Sequence, residues 1–253
     1  MPPASRIAFG FSTLMFGAVS ILWRESDLWR HARALGAPIG TTLAWMCAAF
    51  VCAGGLMLIG GRGALGAKLL AAGGLLLTLS CVTDIARAPA TFASYIDFFE
   101  LFAIVCGAAA VSAELTPNRR DGSQLSLFAR VGFGCCNLSY AAAQVVFFAF
   151  TASLIPAWIP GASAWTVLTT VAFALAGVAM VIGRTQILAL RLDAAMLALF
   201  ALLVWAPRVG AKPSFENWSE LMLTCVIAAA AWAIAHSELI SEPSATGAPE
   251  SLS

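Results

Sequence analysis

Long stretches of this chain pass without a single charged side chain. Residues 7–23 are uncharged between Arg6 and Arg24, and 34–61 continue the pattern. Shorter runs cover 69–83, 101–113, 194–207 and 221–235, and one of unusual length fills 131–183 between Arg130 and Arg184. About 20 apolar residues cross the hydrocarbon of a bilayer, so the longest run has to be two helices. No segment alternates apolar and polar positions as a barrel strand would, and in lipid every backbone polar group needs an internal partner. The pattern therefore predicts eight transmembrane helices, over 6–23, 39–60, 67–86, 97–115, 130–150, 163–183, 188–206 and 218–236.

Within the longest run the segment T-A-S-L-I-P-A-W-I-P-G-A-S-A-W (151–165) carries two prolines and two tryptophans with no charge. Pro156 and Pro160 each fix φ and remove a donor, so a helix begun at Arg130 cannot pass through them. Gly161 allows a tight reversal, and Trp158 and Trp165 suit the headgroup level. The segment reads as a membrane-surface turn between spans five and six. The corresponding connection in the first half, around residues 24–38, is charged.

The spans fall into two matching sets. R-I-A-F-G (6–10) matches R-V-G-F-G (130–134), I-G-G-R (59–62) matches V-I-G-R (181–184), and E-L-F-A-I (100–104) matches E-L-M-L-T (220–224). Three landmarks in one order predict two tandem four-helix units. Because each unit has an even number of spans, both run in parallel orientation, with a pseudo-two-fold axis along the membrane normal. The expected division is a first unit over 1–115, a polar linker over 116–127 (T-P-N-R-R-D-G-S-Q at its start), a second unit over 128–236 and a disordered Pro/Ser-rich tail over 237–253. Since the counterpart of the first span starts in mid-chain at Arg130, the first span reads as a retained helix and not a signal peptide.

Composition sharpens this picture. The chain has 253 residues, 60% hydrophobic and 11% charged, too few charges to cover a water-facing surface. A net charge of +1 gives nucleic acid nothing to bind. The lipid bilayer is the partner this composition demands; a membrane-protein partner or a homo-oligomer is compatible with it. Counting basic residues at the ends of the spans gives eight on the side of the N-terminus and six on the other, which favours both termini inside. The expected location is a bacterial cytoplasmic membrane. All seven cysteines fall in apolar runs with no Cys-x-x-Cys and no zinc spacing to the two histidines, so they read as small apolar thiols at helix contacts. No cofactor and no metal is expected.

One family resemblance adds to this reading. F-T-A-S-L-I-P-A-W-I-P-G (150–161), then L-A-G-V-A-M-V-I-G-R (175–184), then R-L-D-A-A-M (191–196) resembles DoxX-like integral membrane proteins. The likeness covers about 130–208, and the first half follows it through the internal repeat. It implies four-helix units and a non-catalytic subunit or scaffold, one possible setting being a membrane redox assembly. Near Gln144, Phe173 and Trp205, where some relatives carry polar or histidine residues, two of the three side chains here are aromatic.

Candidate chemistry is sparse. Glu100 and Glu220 stand at matching starts of spans four and eight, each after an arginine, Arg87 or Arg208. They are either helix-start acids favoured by the dipole and tied to those arginines, or a paired acidic site across the axis. Asn137, Tyr140 and Gln144, spaced i, i+3, i+7, share one face of span five. Such a stripe either lines a polar cavity or joins helices by hydrogen bonds. Asp84 and Arg87 form a local pair. No nucleophile–base pair, metal cluster or phosphate loop is present, which argues against an enzyme. A subunit or scaffold role leads, and a small-solute transporter or channel is the alternative.

Overall fold

The computed structural model describes residues 2–23 and 36–241. Among them all regular structure is helical and no strand occurs. The elements are α1 (Ala4–Leu22), α2 (Ala37–Ile59), α3 (Gly63–Arg87), α4 (Ala93–Leu115), α5 (Arg119–Val146), α6 (Phe148–Leu154), α7 (Ala162–Ile182), α8 (Gln186–Phe200), α9 (Ala206–Ala211) and α10 (Phe215–Ser241). A π-helical turn, Ala201–Trp205, joins α8 to α9. Its widening accommodates Pro207, which has no N–H for the ladder, and the Ala206 N–H bonds Ala201 five residues back.

Seven of these stretches are long and apolar enough to cross a membrane: α1, most of α2, α3, α4, α7, the continuous run Gln186–Ala211, and nearly all of α10. An eighth results if α5 and α6 together make one span, although they meet at a bend of 97°. The expectation of one straight fifth helix over 130–150 is therefore corrected. The break falls at Phe147, well before Pro156, and proline is not its cause. Val145, Val146, Phe147 and Phe148 put two β-branched and two aromatic residues in a row, the types that lose most side-chain freedom in a helix. The reversal itself is as expected: Gly161 takes φ +77°, ψ 41° ahead of α7, a left-handed conformation that suits glycine.

Two boundaries differ from expectation. Helix α5 starts at Arg119, inside the stretch read as linker, with the Asn118 side chain accepting from the Arg120 N–H as its cap. Helix α10 runs to Ser241, so 237–241, read as tail, are helical. The rest of that tail and the charged connection with His31 lie outside the described residues.

Close approaches between neighbouring helices arrange them in a ring. Neighbours pack in the order α1, α2, α3, α4, α5, α7, α8 and α10, and α10 returns to α1. Across the ring α4 packs on α10. Burial follows this order: 61% of the most apolar window of α10 is buried inside the molecule, against 22% for α7 and for the run through α8 and α9. Leu168, Val171, Leu175, Leu192 and Leu202 are exposed on those outer helices and form the surface that meets lipid. The core is built of small residues. At the centre a Cβ added to Gly107 of α4 would come within 2.6 Å of the Phe9 ring and 2.9 Å of Ala230 Cβ, so α1, α4 and α10 touch there with no room for a methyl group. The molecule is an integral membrane protein of packed apolar helices.

Candidate functional site

The polar stripe on α5 faces inward. Asn137, Tyr140 and Gln144 are all buried, as their spacing on one face requires. Gln144 joins helices: its Oε1 accepts from Thr169 and Thr170 of α7 at 3.0 and 2.8 Å. Tyr140 reaches α4, donating to the Phe99 carbonyl at 3.4 Å. Its ring meets Phe173 edge-on at 5.6 Å, and Phe173 meets Phe200 at 6.0 Å, linking α5, α7 and α8. Two members of the stripe thus spend their polar atoms on contacts between helices.

Asn137 behaves differently. Its amide donates to Phe133, one turn back on α5, at 3.2 Å, while Oδ1 is buried without a partner. Beside it lies Asp193 of α8, 2% exposed, with the Asn137 amide turned toward its carboxylate but neither oxygen in a hydrogen bond of normal geometry. The sequence reading passed over Asp193. Its signal was a carboxylate in the middle of a span, masked by Arg191 two residues earlier, which made the apolar run start at 194.

Glu100, on α4, and Glu220, on α10, are half-buried. The arginines assigned to them are used elsewhere. Arg87 pairs with Asp84 at 3.7 Å, as its spacing predicts. Arg208 lies over the Trp205 ring at 5.7 Å and donates to the Ser153 carbonyl at 3.4 Å. Among the described residues neither arginine forms an ion pair with its assigned glutamate. Arg87 ends α3 one turn after Asp84, and Arg208 sits on α9 three residues after Trp205.

Two ion pairs that the sequence reading missed close the ends of the bundle. Arg6 of α1 donates to Glu114 of α4 at 2.8 Å. Arg130 of α5 lies 3.2 Å from Glu238 of α10 and also donates to the Met180 carbonyl. Glu238 accepts from Ser126 at 2.6 Å as well. Both pairs are largely shielded from solvent and each joins residues 108 apart. A recurring signal was present in S-A-E-L (112–115) and H-S-E-L (236–239).

The seven thiols are all free: Cys47, Cys81, Cys106 and Cys136 are buried, and Cys52, Cys135 and Cys225 half-buried. Among the described residues no group of three His, Cys, Asp or Glu side chains is placed to hold a metal ion. A cavity of about 10 Å³ between α1, α2 and α3, lined by Phe16, Ala44, Val51 and Leu77 among others, is only just large enough for a water and offers it little to bond. Comparison of the chain with family models, with curated proteins and with solved structures gives no match.

Proposed function

We propose that this protein is a non-catalytic integral subunit or scaffold of the DoxX-like type, built as two tandem four-helix units in parallel orientation in a bacterial cytoplasmic membrane. The observation that carries the scaffold role is the closed centre. Where α1, α4 and α10 meet at Gly107 there is no space for a methyl group, so no solute path runs through that point. A transporter needs two arrangements of its centre, and backbones packed this tightly resist rearrangement.

The tandem reading draws support from contacts that recur in register. The ion pairs Arg6–Glu114 and Arg130–Glu238 stand 124 residues apart at both members. A Cβ on Gly10 would meet the Gly55 carbonyl at 2.8 Å, and one on Gly134 would meet the Gly177 carbonyl at 3.0 Å. Gly10 and Gly134 end the matched R-I-A-F-G and R-V-G-F-G stretches. The packing is also reciprocal: the first helix of each unit lies on the last helix of the other, α1 on α10 and α5 on α4. The first half of the DoxX-like resemblance rests on this repeat.

Native mass spectrometry of the protein extracted in its own lipids, run beside solute-flux measurements on proteoliposomes, tests the role. The scaffold reading expects a complex of fixed stoichiometry with another membrane subunit, and no flux above that of empty vesicles. A lone monomer that catalyses saturable flux overturns it.

A further inference from the structure

Asp193 stands at the midpoint of α8, and no water-facing surface is within its reach. A carboxylate there has lost its hydration and needs replacement partners. The other polar side chains on the facing helices are committed. Thr169 and Thr170 donate to Gln144, and the Tyr140 hydroxyl donates to Phe99. Arg191, two residues earlier, is exposed and lies about 200° around the helix, on the lipid side. The side chain that does adjoin Asp193 is Asn137, whose amide is turned toward the carboxylate and whose Oδ1 is a further orphan acceptor. Three buried oxygens, two of them on a carboxyl group, thus lie together between α5 and α8; the Asn137 amide is the one donor beside them, and among the described residues no cationic side chain pairs with Asp193.

Oxygen acceptors gathered around one negative charge are what a hard cation requires. A single carboxylate balances a single positive charge, and a divalent ion would leave the site with excess charge in an apolar interior. We propose that Asp193 and Asn137 form an intramembrane site for one monovalent cation, held between the Asp193 carboxylate and Asn137 Oδ1. Two sources share this chemistry: an alkali-metal ion, or a proton carried on the carboxyl and donated to Oδ1. Ionisable groups away from the ends of the helices around it include Glu100 and Cys106 on α4, Cys135, Cys136 and Tyr140 on α5, and Glu220 and Cys225 on α10. Of these, Tyr140 lies within electrostatic range of both Asp193 and Glu100. Helix α7 carries no ionisable residue. The site is independent of the scaffold reading: a structural subunit can hold a fixed cation as readily as a transporter can carry one.

The test uses the full chain in lipid nanodiscs, with sodium, potassium or choline chloride at constant ionic strength and from mildly acidic to mildly alkaline pH. Two quantities are read: the thermal unfolding midpoint, and the carboxyl C=O stretch in the infrared. If the cation is an alkali-metal ion, the wild-type midpoint rises with sodium or potassium against choline, by mass action on the folded state, and Asp193→Asn is indifferent to the salt. Asn137→Ala should then weaken the apparent ion affinity about tenfold or more. If the cation is a proton, salt identity has no effect. The infrared spectrum then shows a protonated carboxyl that shifts in Asn137→Ala, and the wild-type midpoint falls with rising pH more than that of Asp193→Asn. Should Asp193→Asn fail to fold, the salt response and infrared band of the wild type and of Asn137→Ala decide. An ionised carboxylate in every salt, with midpoints blind to both salt and pH, overturns the proposal.

Discussion

Glycine carries the closest contacts between helices. A Cβ on Gly55 would lie 2.5 Å from the Gly10 carbonyl and 2.8 Å from the Leu14 nitrogen, both backbone atoms that cannot swing aside. Gly55→Ala should therefore force α1 and α2 apart and cost about 1–3 kcal/mol, as overpacking does. Gly210→Ala, where a Cβ would meet nothing within 4 Å, should hold or raise stability. Thermal unfolding in one detergent compares them, and equal losses would break the argument. The thiols are the opposite case: four are fully buried and all are unpaired, so replacing all seven by Ala or Ser should lower the unfolding midpoint while leaving the oligomeric state and any partner binding unchanged. Residue-scale legibility followed periodicity. Asn137, Tyr140 and Gln144 were readable as one buried face because i, i+3, i+7 fixes direction on a helix. Asp193 was not, because spans were found as charge-free runs, and a charge buried in a span violates that rule.

Among the elements, α6 stands out. Helix α5 from Arg130 to its end covers 17 residues, about 26 Å at 1.5 Å per residue, close to but short of the roughly 30 Å hydrocarbon layer. The 97° bend then turns α6 across the bundle instead of along it. Phe150 of α6 and Trp158 of the turn that follows it are exposed, at 63% and 70%. A spin label at Phe150→Cys, in the cysteine-free background, should report a shallow depth at the headgroup boundary; a label at the bilayer midplane would contradict this. The end pairs make a second element-scale prediction. Glu238→Gln removes the partner of Arg130 at a site between exposed and buried, and should cost on the order of 2 kcal/mol. A double-mutant cycle with Arg130→Gln isolates the coupling, and a null coupling would mean the pair is incidental. The spans were legible because lipid imposes their length and polarity. The break at Phe147 was not, since Pro156 and Pro160 are the stronger local helix breakers, whereas the chain turns on a bulky run. The helical 237–241 was not legible either, because Glu238 looks like solvent-seeking polarity until its arginine is known.

At the scale of the molecule, the count of crossings decides which side the ends occupy. If α5 and α6 act as one span, reporter fusions at Gly122 and at Ser253 should both read as cytoplasmic. Opposite readings would mean that α5 fails to cross and that seven helices span. The ring has one further consequence, and it concerns time. A chain is made from its N-terminus and released into the membrane helix by helix. Helix α1 leaves the ribosome before the other described helices, yet one of its two neighbours in the ring is α10, the last of them. Phe9, fully buried in the finished molecule beside Gly107 and Ala230, has to wait in lipid through the synthesis of everything between. The seam between α1 and α10 closes last, and any chain halted before Phe215 is left as an open sheaf whose inner wall faces the bilayer.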